Sequence, residues 1–163
     1  MDRSFIANLV RLASEAAGAH GATLYLVEGE FLQPYVIHNL PEEYITGIGA
    51  VRVGTQCCGR AVQHAKPWIV SDMLADPLFA DGLGGALNSN VRAAFSVPVM
   101  EGMKVVGSLA CHYQVSYSPK NVDIERNENF AKLIAMALRE LREQPGGVDL
   151  SRPSFCNLNN QVA

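Results

Sequence analysis

Two adjacent cysteines, Cys57 and Cys58, are the residues of this chain whose types and spacing most readily suggest chemistry. They open the segment 57-CCGRAV-62, which is predicted to begin a short helix. Free N–H groups and the helix dipole at such a start favour an anion or a thiolate. One hypothesis is therefore anion binding by the amides of Cys58 and Gly59, or a reactive thiol. The other, which we favour for the thiols, is that two small side chains pack beneath a loop.

Three further side chains could bind a ligand. Arg60 and Arg92 could form a bidentate clamp for an anion, although arginines at such positions are more often solvated or salt-bridged at the surface. His112 occupies an inward-facing strand position, where a histidine is more often a hydrogen-bonded core residue than a ligand. The four cysteines (Cys57, Cys58, Cys111 and Cys156) fit no CxxC or zinc spacing, so we expect free thiols.

The composition indicates one globular domain. The chain has 163 residues, of which 48% are hydrophobic and 18% charged, enough for a single core. A net charge of −3 gives no general attraction to nucleic acid or anionic membranes. No apolar run is long enough to span a bilayer, so we expect no membrane association and a cytoplasmic location.

Hydrophobic periodicity predicts an α+β domain. Helices are predicted over 2–17, 57–65 and from about 122 to 141, with a helical turn at 42–47. Strands are predicted over 22–28, 31–38, 67–72, 91–100 and 104–115. Pro34 predicts a bulge or an edge in the second strand, and residues 73–90 predict a long connection. Antiparallel hairpins with a helix at each chain end would place the terminal helices on one sheet face and the middle insertions on the other.

Five segments in this order resemble the GAF domains, which are small-molecule sensors of bacterial signalling proteins. They are CCGRAV, PWIVSD, DPLFAD, VRAAFSVPV and VVGSLACHY, and the resemblance runs from about Phe5 to Leu141. It implies a five- or six-stranded antiparallel sheet and a ligand pocket between the sheet and the 57–90 segment. We accordingly predict a domain over 1–145 and a tail over 146–163 that is extended or disordered.

The resemblance also implies a site and partners. The ligand-binding residues that it implies are Tyr35, Cys57, Cys58, Gly59, Arg60, Leu78, Phe79, Phe95, Val97 and His112. Similarity to a nitrate-binding subtype suggests a small anion as ligand, without a metal or another cofactor. It further implies a homodimer formed by the terminal helices, and an output partner such as a histidine kinase or another signalling protein.

Two alternatives to a ligand sensor stay open. Free methionine-(R)-sulfoxide reductases are GAF enzymes with a similar helix start, but their chemistry uses cysteines in a loop that corresponds to 76–90, where this chain has none. A disulfide between Cys57 and Cys58 would strain the intervening peptide. We therefore expect no enzyme. The second alternative is a ligand-free dimerisation module, which a pocket filled by Leu78, Leu83 and Phe95 would favour.

Other GAF subtypes fit less well. Bilin photoreceptors attach their pigment through a cysteine at a position that is Asp81 here. Iron-binding nitric oxide sensors use acidic residues and a cysteine; Asp76, Asp81 and His112 fall near matching positions, but Ala94 stands where the cysteine should be. Asp76 before Pro77 is better explained as a turn former.

Overall fold

The computed structural model describes residues 2–77, 86 and 89–146, and within them four helices flank one sheet of six strands. The helices are α1 (Arg3–Ala16), α2 (Glu42–Ile48), α3 (Gln56–His64) and α4 (Asn121–Glu143). The strands are β1 (Gly21–Glu28), β2 (Phe31–His38), β3 (Val51–Arg52), β4 (Trp68–Val70), β5 (Ala93–Glu101) and β6 (Lys104–Tyr113). The predicted α+β class is confirmed.

The sheet is antiparallel, in the order β3-β2-β1-β6-β5-β4. Its centre is the pairing of β1 with β6, which joins the hairpin β1–β2 to the hairpin β5–β6. The two-residue strand β3 pairs with the edge of β2 and was not predicted, because 39–56 lacks a clear alternation of apolar residues. Strand β4 is shorter than the predicted 67–72.

Each sheet face packs against a different pair of helices. Helices α1 and α4 cover one face, where a cluster including Ile6, Val10, Phe95, Leu109, Ile134 and Leu138 is buried. The segment with α2 and α3 covers the other face, over a second cluster that includes Tyr25, Leu32, Tyr44, Val51 and Met73. Burial of each large apolar side chain stabilises the fold by about 1.5–3 kcal/mol. The terminal helices thus share one face, as predicted.

A bulge interrupts the β1–β2 hairpin at Pro34. Leu24 pairs with Val36, but the next residue, Tyr25, pairs with Pro34, so Tyr35 is the additional residue. Tyr35 and Val36 consequently both contact the cluster under α1 and α4. This confirms the bulge that Pro34 predicts.

Of the predicted tail 146–163, only Gly146 is among the described residues, and 147–163 lie outside them. In the connection 73–90, residues 78–85 and 87–88 also lie outside them. Within this connection, Ala86 is fully buried and belongs to the cluster on the α2–α3 side of the sheet.

Candidate functional site

A small cavity lies between the sheet and the α2–α3 segment. Its volume is about 10 Å³, close to the space that one water molecule needs. The residues that line it are Tyr25, Tyr44, Ile48, Val51, Gln56, Cys57, Cys58, Met73, Ala94 and His112. The cavity therefore combines apolar walls with neutral hydrogen-bonding groups, and we call it the α3 pocket.

Cys57 and Cys58 lie in the first turn of α3, and both thiols are buried. The Cys57 Sγ lies 3.4 Å from the carbonyl oxygen of Trp68 and 3.7 Å from that of Ala94, so it packs against β4 and β5. Burial raises the pKa of the Cys57 thiol well above its usual value, and the neighbouring Cys58 adds to the effect. Burial also raises the pKa of Cys58. Both groups are thus neutral thiols at physiological pH, which supports the packing hypothesis.

His112 links the sheet to α2 across the α3 pocket. Its Nε2 lies 3.0 Å from the Thr23 hydroxyl, and its Nδ1 lies 3.1 Å from the Tyr44 hydroxyl. The Tyr44 and His112 rings also meet edge to face, with their centroids 5.2 Å apart. Burial lowers the pKa of His112 to about 3, so the imidazole is neutral and donates one hydrogen bond while accepting another.

Beside His112, the sheet face beneath α3 carries hydroxyl groups. Ser96 and Ser108 are fully buried and hydrogen-bond to each other. The Cys58 thiol interacts with both serines and with Thr23, and these contacts partly offset the effect of burial on its pKa. This polar patch was not predicted from the sequence, although Ser96 lies among small residues that alternate with large apolar ones in 94–99, which was a usable signal.

Both candidate arginines form ion pairs with aspartates. Arg60 is buried, and its Nη2 lies 2.6 Å from Asp76 Oδ2, while its Nε donates to the Gln56 carbonyl at 2.5 Å. Arg92 binds both carboxylate oxygens of Asp72, at 3.3 and 2.9 Å, in a pair that is about one-third exposed. Arg92 is salt-bridged at the surface, as the sequence suggested, whereas Arg60 forms a buried ion pair. Neither lines the α3 pocket.

The start of α3 is held close to β3. A Cβ atom on Gly59 would lie 2.3 Å from the Arg52 carbonyl oxygen, so a side chain there would collide with the backbone. Gly59 therefore serves helix–strand packing and does not face the α3 pocket. Gln56, which does, has a positive φ of 53°, a strained conformation for a residue with a side chain.

Three of the residues that the resemblance implied lie elsewhere. Tyr35, Phe95 and Val97 are buried under α1 and α4, on the opposite face of the sheet from Cys57. Successive side chains of a strand point to opposite faces, so Ala94, and not Phe95, reaches the pocket. The structure thus brings together Cys57, Cys58 and His112 from the predicted set, and adds Tyr25, Tyr44 and Gln56.

Leu78, Phe79, Asp81 and Leu83 lie outside the described residues. Within the ranges 2–77, 86 and 89–146, no group of three His, Cys, Asp or Glu side chains is arranged to hold a metal ion. None of the helices in these ranges is long and apolar enough to cross a membrane.

The sequence matches the GAF domain family over residues 3–138, which is most of the chain. None of the curated proteins matches it in sequence.

Solved structures share the fold at low identity. A domain ascribed to a two-component sensor histidine kinase of Sinorhizobium meliloti 1021 superposes with a TM-score of 0.74 at 11% identity, covering 88% of this chain and 94% of its own. The GAF domain of an Acinetobacter phosphoenolpyruvate-protein phosphotransferase gives 0.71 at 13% identity, covering 86% and 83%. Free methionine-R-sulfoxide reductase of Neisseria meningitidis, in complex with its substrate, gives 0.65 at 21% identity, covering 83% and 78%. At these identities the likeness is one of fold.

Proposed function

This chain belongs to the GAF domain family, and we propose that it is a sensory domain that binds a small polar molecule in the α3 pocket. The observation that carries this proposal is the set of buried hydrogen-bonding groups around the cavity. Tyr44, His112 and Gln56 converge on it within an otherwise apolar wall, which is the usual make-up of a small-molecule site.

The size of the cavity restricts the ligand. About 10 Å³ admits one water molecule, so a larger ligand must displace a lining group. The Tyr44 side chain is the best candidate, because a ligand that hydrogen-bonds to His112 Nδ1 would replace its hydroxyl. Displacing Tyr44 would shift α2, and the pocket would then report its occupancy through the position of that helix.

The charge of the lining favours an uncharged ligand or a small anion. The imidazole and the thiols are neutral, and the candidate arginines Arg60 and Arg92 form ion pairs with Asp76 and Asp72. An anion would therefore depend on the Gln56 side chain and the N–H groups at the start of α3. Formate and formamide separate these cases, because they have nearly the same size and differ in charge.

The test is a calorimetric titration with formate, formamide, nitrate, nitrite and urea, preceded by native mass spectrometry of the purified protein. We expect one of these classes to bind, and Tyr44→Phe to change its affinity by about tenfold or more. Tyr113→Phe is the matched control, because its buried hydroxyl donates to the Ala17 carbonyl on the other face at 2.8 Å. If neither purified ligand nor titrated probe binds, the domain is better described as a ligand-free dimerisation module.

A reductase remains the second candidate, because reductases are among its structural neighbours and two thiols line the same pocket. The absence of cysteine between Cys58 and Cys111, and the raised pKa values of both pocket thiols, oppose it. We expect no turnover of free methionine sulfoxide in an assay coupled to thioredoxin or dithiothreitol. Turnover that Cys58→Ser abolishes would establish the enzyme instead.

We also propose that signalling proceeds through a homodimer formed by α1 and α4. Exposed apolar residues on both helices support this: Phe5 and Leu12 on α1, with Val122, Leu133 and Met136 on α4. A cytoplasmic histidine kinase or another signalling protein would be the output partner.

A further inference from the structure

A second and much larger cavity lies on the other face of the sheet, at the end of the β1–β2 hairpin. Its volume is about 530 Å³, within the range of about 300–1,000 Å³ that is usual for small-molecule sites. The floor is formed by strands β2, β1 and β6, and one wall is the last part of α4. We call it the hairpin groove.

The floor and inner wall of the hairpin groove are apolar. Leu26 and Val106 lie on neighbouring strands and are half-buried, whereas Tyr35 and Leu138 are buried behind them. All four contact the core cluster under α1 and α4. An occupant would therefore cover apolar surface that the domain itself leaves partly exposed, and this favours a ligand with an apolar body.

The rim of the hairpin groove carries a cation that is available to a ligand. Lys104 is exposed, and no carboxylate of the described residues lies within salt-bridge distance of it. Glu101, which faces Lys104 across the β5–β6 turn, forms an ion pair with Arg142. Glu28, the acidic residue that lines the groove itself, lies on β1, the strand next to β6, and it forms no ion pair with Lys104.

We propose that the hairpin groove binds a monocarboxylate with an apolar body, whose carboxylate pairs with Lys104 and whose chain lies on Leu26 and Val106. Complementarity of charge and polarity selects this occupant: the rim offers a cation and the floor offers apolar surface. The site is separate from the α3 pocket, because the sheet lies between them and no residue lines both. A ligand there would also contact Leu138 and Arg142, so it would join the end of α4 to the sheet.

Decanoate is a suitable probe, below its micelle concentration, with decyltrimethylammonium and decanol as probes of the same chain length and different charge. We expect decanoate to shift the backbone amide resonances of Leu26 and Val106, and to bind more tightly than the other two. Added salt should weaken the interaction, because an exposed ion pair is screened.

A charge variant and a filling variant, each with a companion, locate the site. Lys104→Glu should weaken decanoate binding about 3- to 10-fold, since an attraction at an exposed position becomes a repulsion. Lys66→Glu is the matched control: Lys66 is exposed, does not line the groove, and should leave the affinity unchanged. Gln33→Trp should fill the groove and abolish binding, and Val106→Phe provides a second filling variant if the first does not fold.

Several outcomes would overturn the proposal. They are equal binding of the cationic probe, equal loss in the Lys66 and Lys104 variants, and no amide shift in the groove at any concentration of decanoate. Shifts of the groove amides that depend on protein concentration alone would assign the surface to a second copy of the chain. None of these outcomes bears on the α3 pocket, which Gln33→Trp leaves untouched.

Discussion

At the scale of single residues, the α3 pocket depends on an uncharged histidine. Among the residues that the structure describes, His112 has two hydroxyl partners and no carboxylate partner, so these groups do not compensate a positive charge. Burial accordingly lowers its pKa to about 3, against an ordinary value near 6.5. The unfolded chain takes up a proton below pH 6.5, whereas the folded chain does so only near pH 3.

The free energy of unfolding should therefore fall as the pH drops from 6.5 toward 3. His112 alone contributes a slope of up to about 1.4 kcal/mol per pH unit within that window, and none above it. Urea denaturation at pH 7 and pH 5 measures the effect. His112→Gln keeps a hydrogen-bonding side chain and removes the titration, so the variant should lose about 1–2 kcal/mol less than the wild type over this interval. Equal losses in both proteins would show that His112 is protonated in the folded state.

The thiols of the α3 pocket should be unreactive in the native protein. A Cys156→Ser background leaves Cys57, Cys58 and Cys111, all of which are buried. Burial raises the pKa of Cys111 to about 12, and the pKa values of the other two are also raised. We expect dithionitrobenzoate at pH 8 to label this background slowly in native buffer and fully in guanidinium chloride. Rapid native labelling that Cys58→Ser removes would contradict the packing role.

Residue types alone locate part of this site. The sequence of Cys57 and Cys58 predicts both a helix start and small buried side chains, and their burial supports the packing interpretation. Tyr35, Phe95 and Val97 could not be assigned to a sheet face in the same way. Their face depends on strand register, which in β2 changes at a bulge and in β5 is fixed by pairing with β4 and β6. Tyr44 approaches His112 only through tertiary packing, across 68 residues of sequence.

At the scale of elements, α3 and β3 are mutually dependent. The Gly54 N–H donates to the Gly59 carbonyl at 2.9 Å, and the Arg52 carbonyl accepts hydrogen bonds from both the N–H and the hydroxyl of Thr55. These contacts bring the β3 backbone against the first turn of α3, where only glycine leaves enough space. The sequence predicts the helix from its periodicity, but this close approach is a property of the assembled elements.

Gly59→Ala should consequently destabilise the fold, because the added Cβ collides with the Arg52 carbonyl oxygen. We expect a loss of about 1–3 kcal/mol, and a larger one for Gly59→Val. Gly18→Ala is the control: Gly18 has a positive φ but open space around its Cα, so it reports the conformational cost of about 1 kcal/mol without a collision. Chemical denaturation of the three variants measures the difference. A Gly59→Ala variant as stable as the wild type would show that α3 can move away from β3.

At the scale of the whole molecule, α1 and α4 each present two different faces. Leu9 on α1 and Leu138 on α4 are buried in the core, so charged substitutions there would unfold the domain and would not test a dimer. The apolar residues that are exposed on α1 and α4 lie on a different side of each helix from the buried ones. Val122, Leu133 and Met136 share one stripe of α4, which the periodicity of the sequence could not separate from the core stripe.

The homodimer should therefore depend on Leu133 and Met136, which are 47% and 68% exposed. Replacing both with glutamate introduces charge into the proposed interface without removing a core contact, so we expect the domain to stay folded and to become a monomer. Light scattering at micromolar to millimolar concentration measures the mass, and circular dichroism checks the fold. Lys132→Glu is the matched control, since it adds negative charge next to the stripe and should leave the dimer intact. A wild type that stays monomeric at every concentration would contradict the proposed interface, as would a dimer that persists in the double variant.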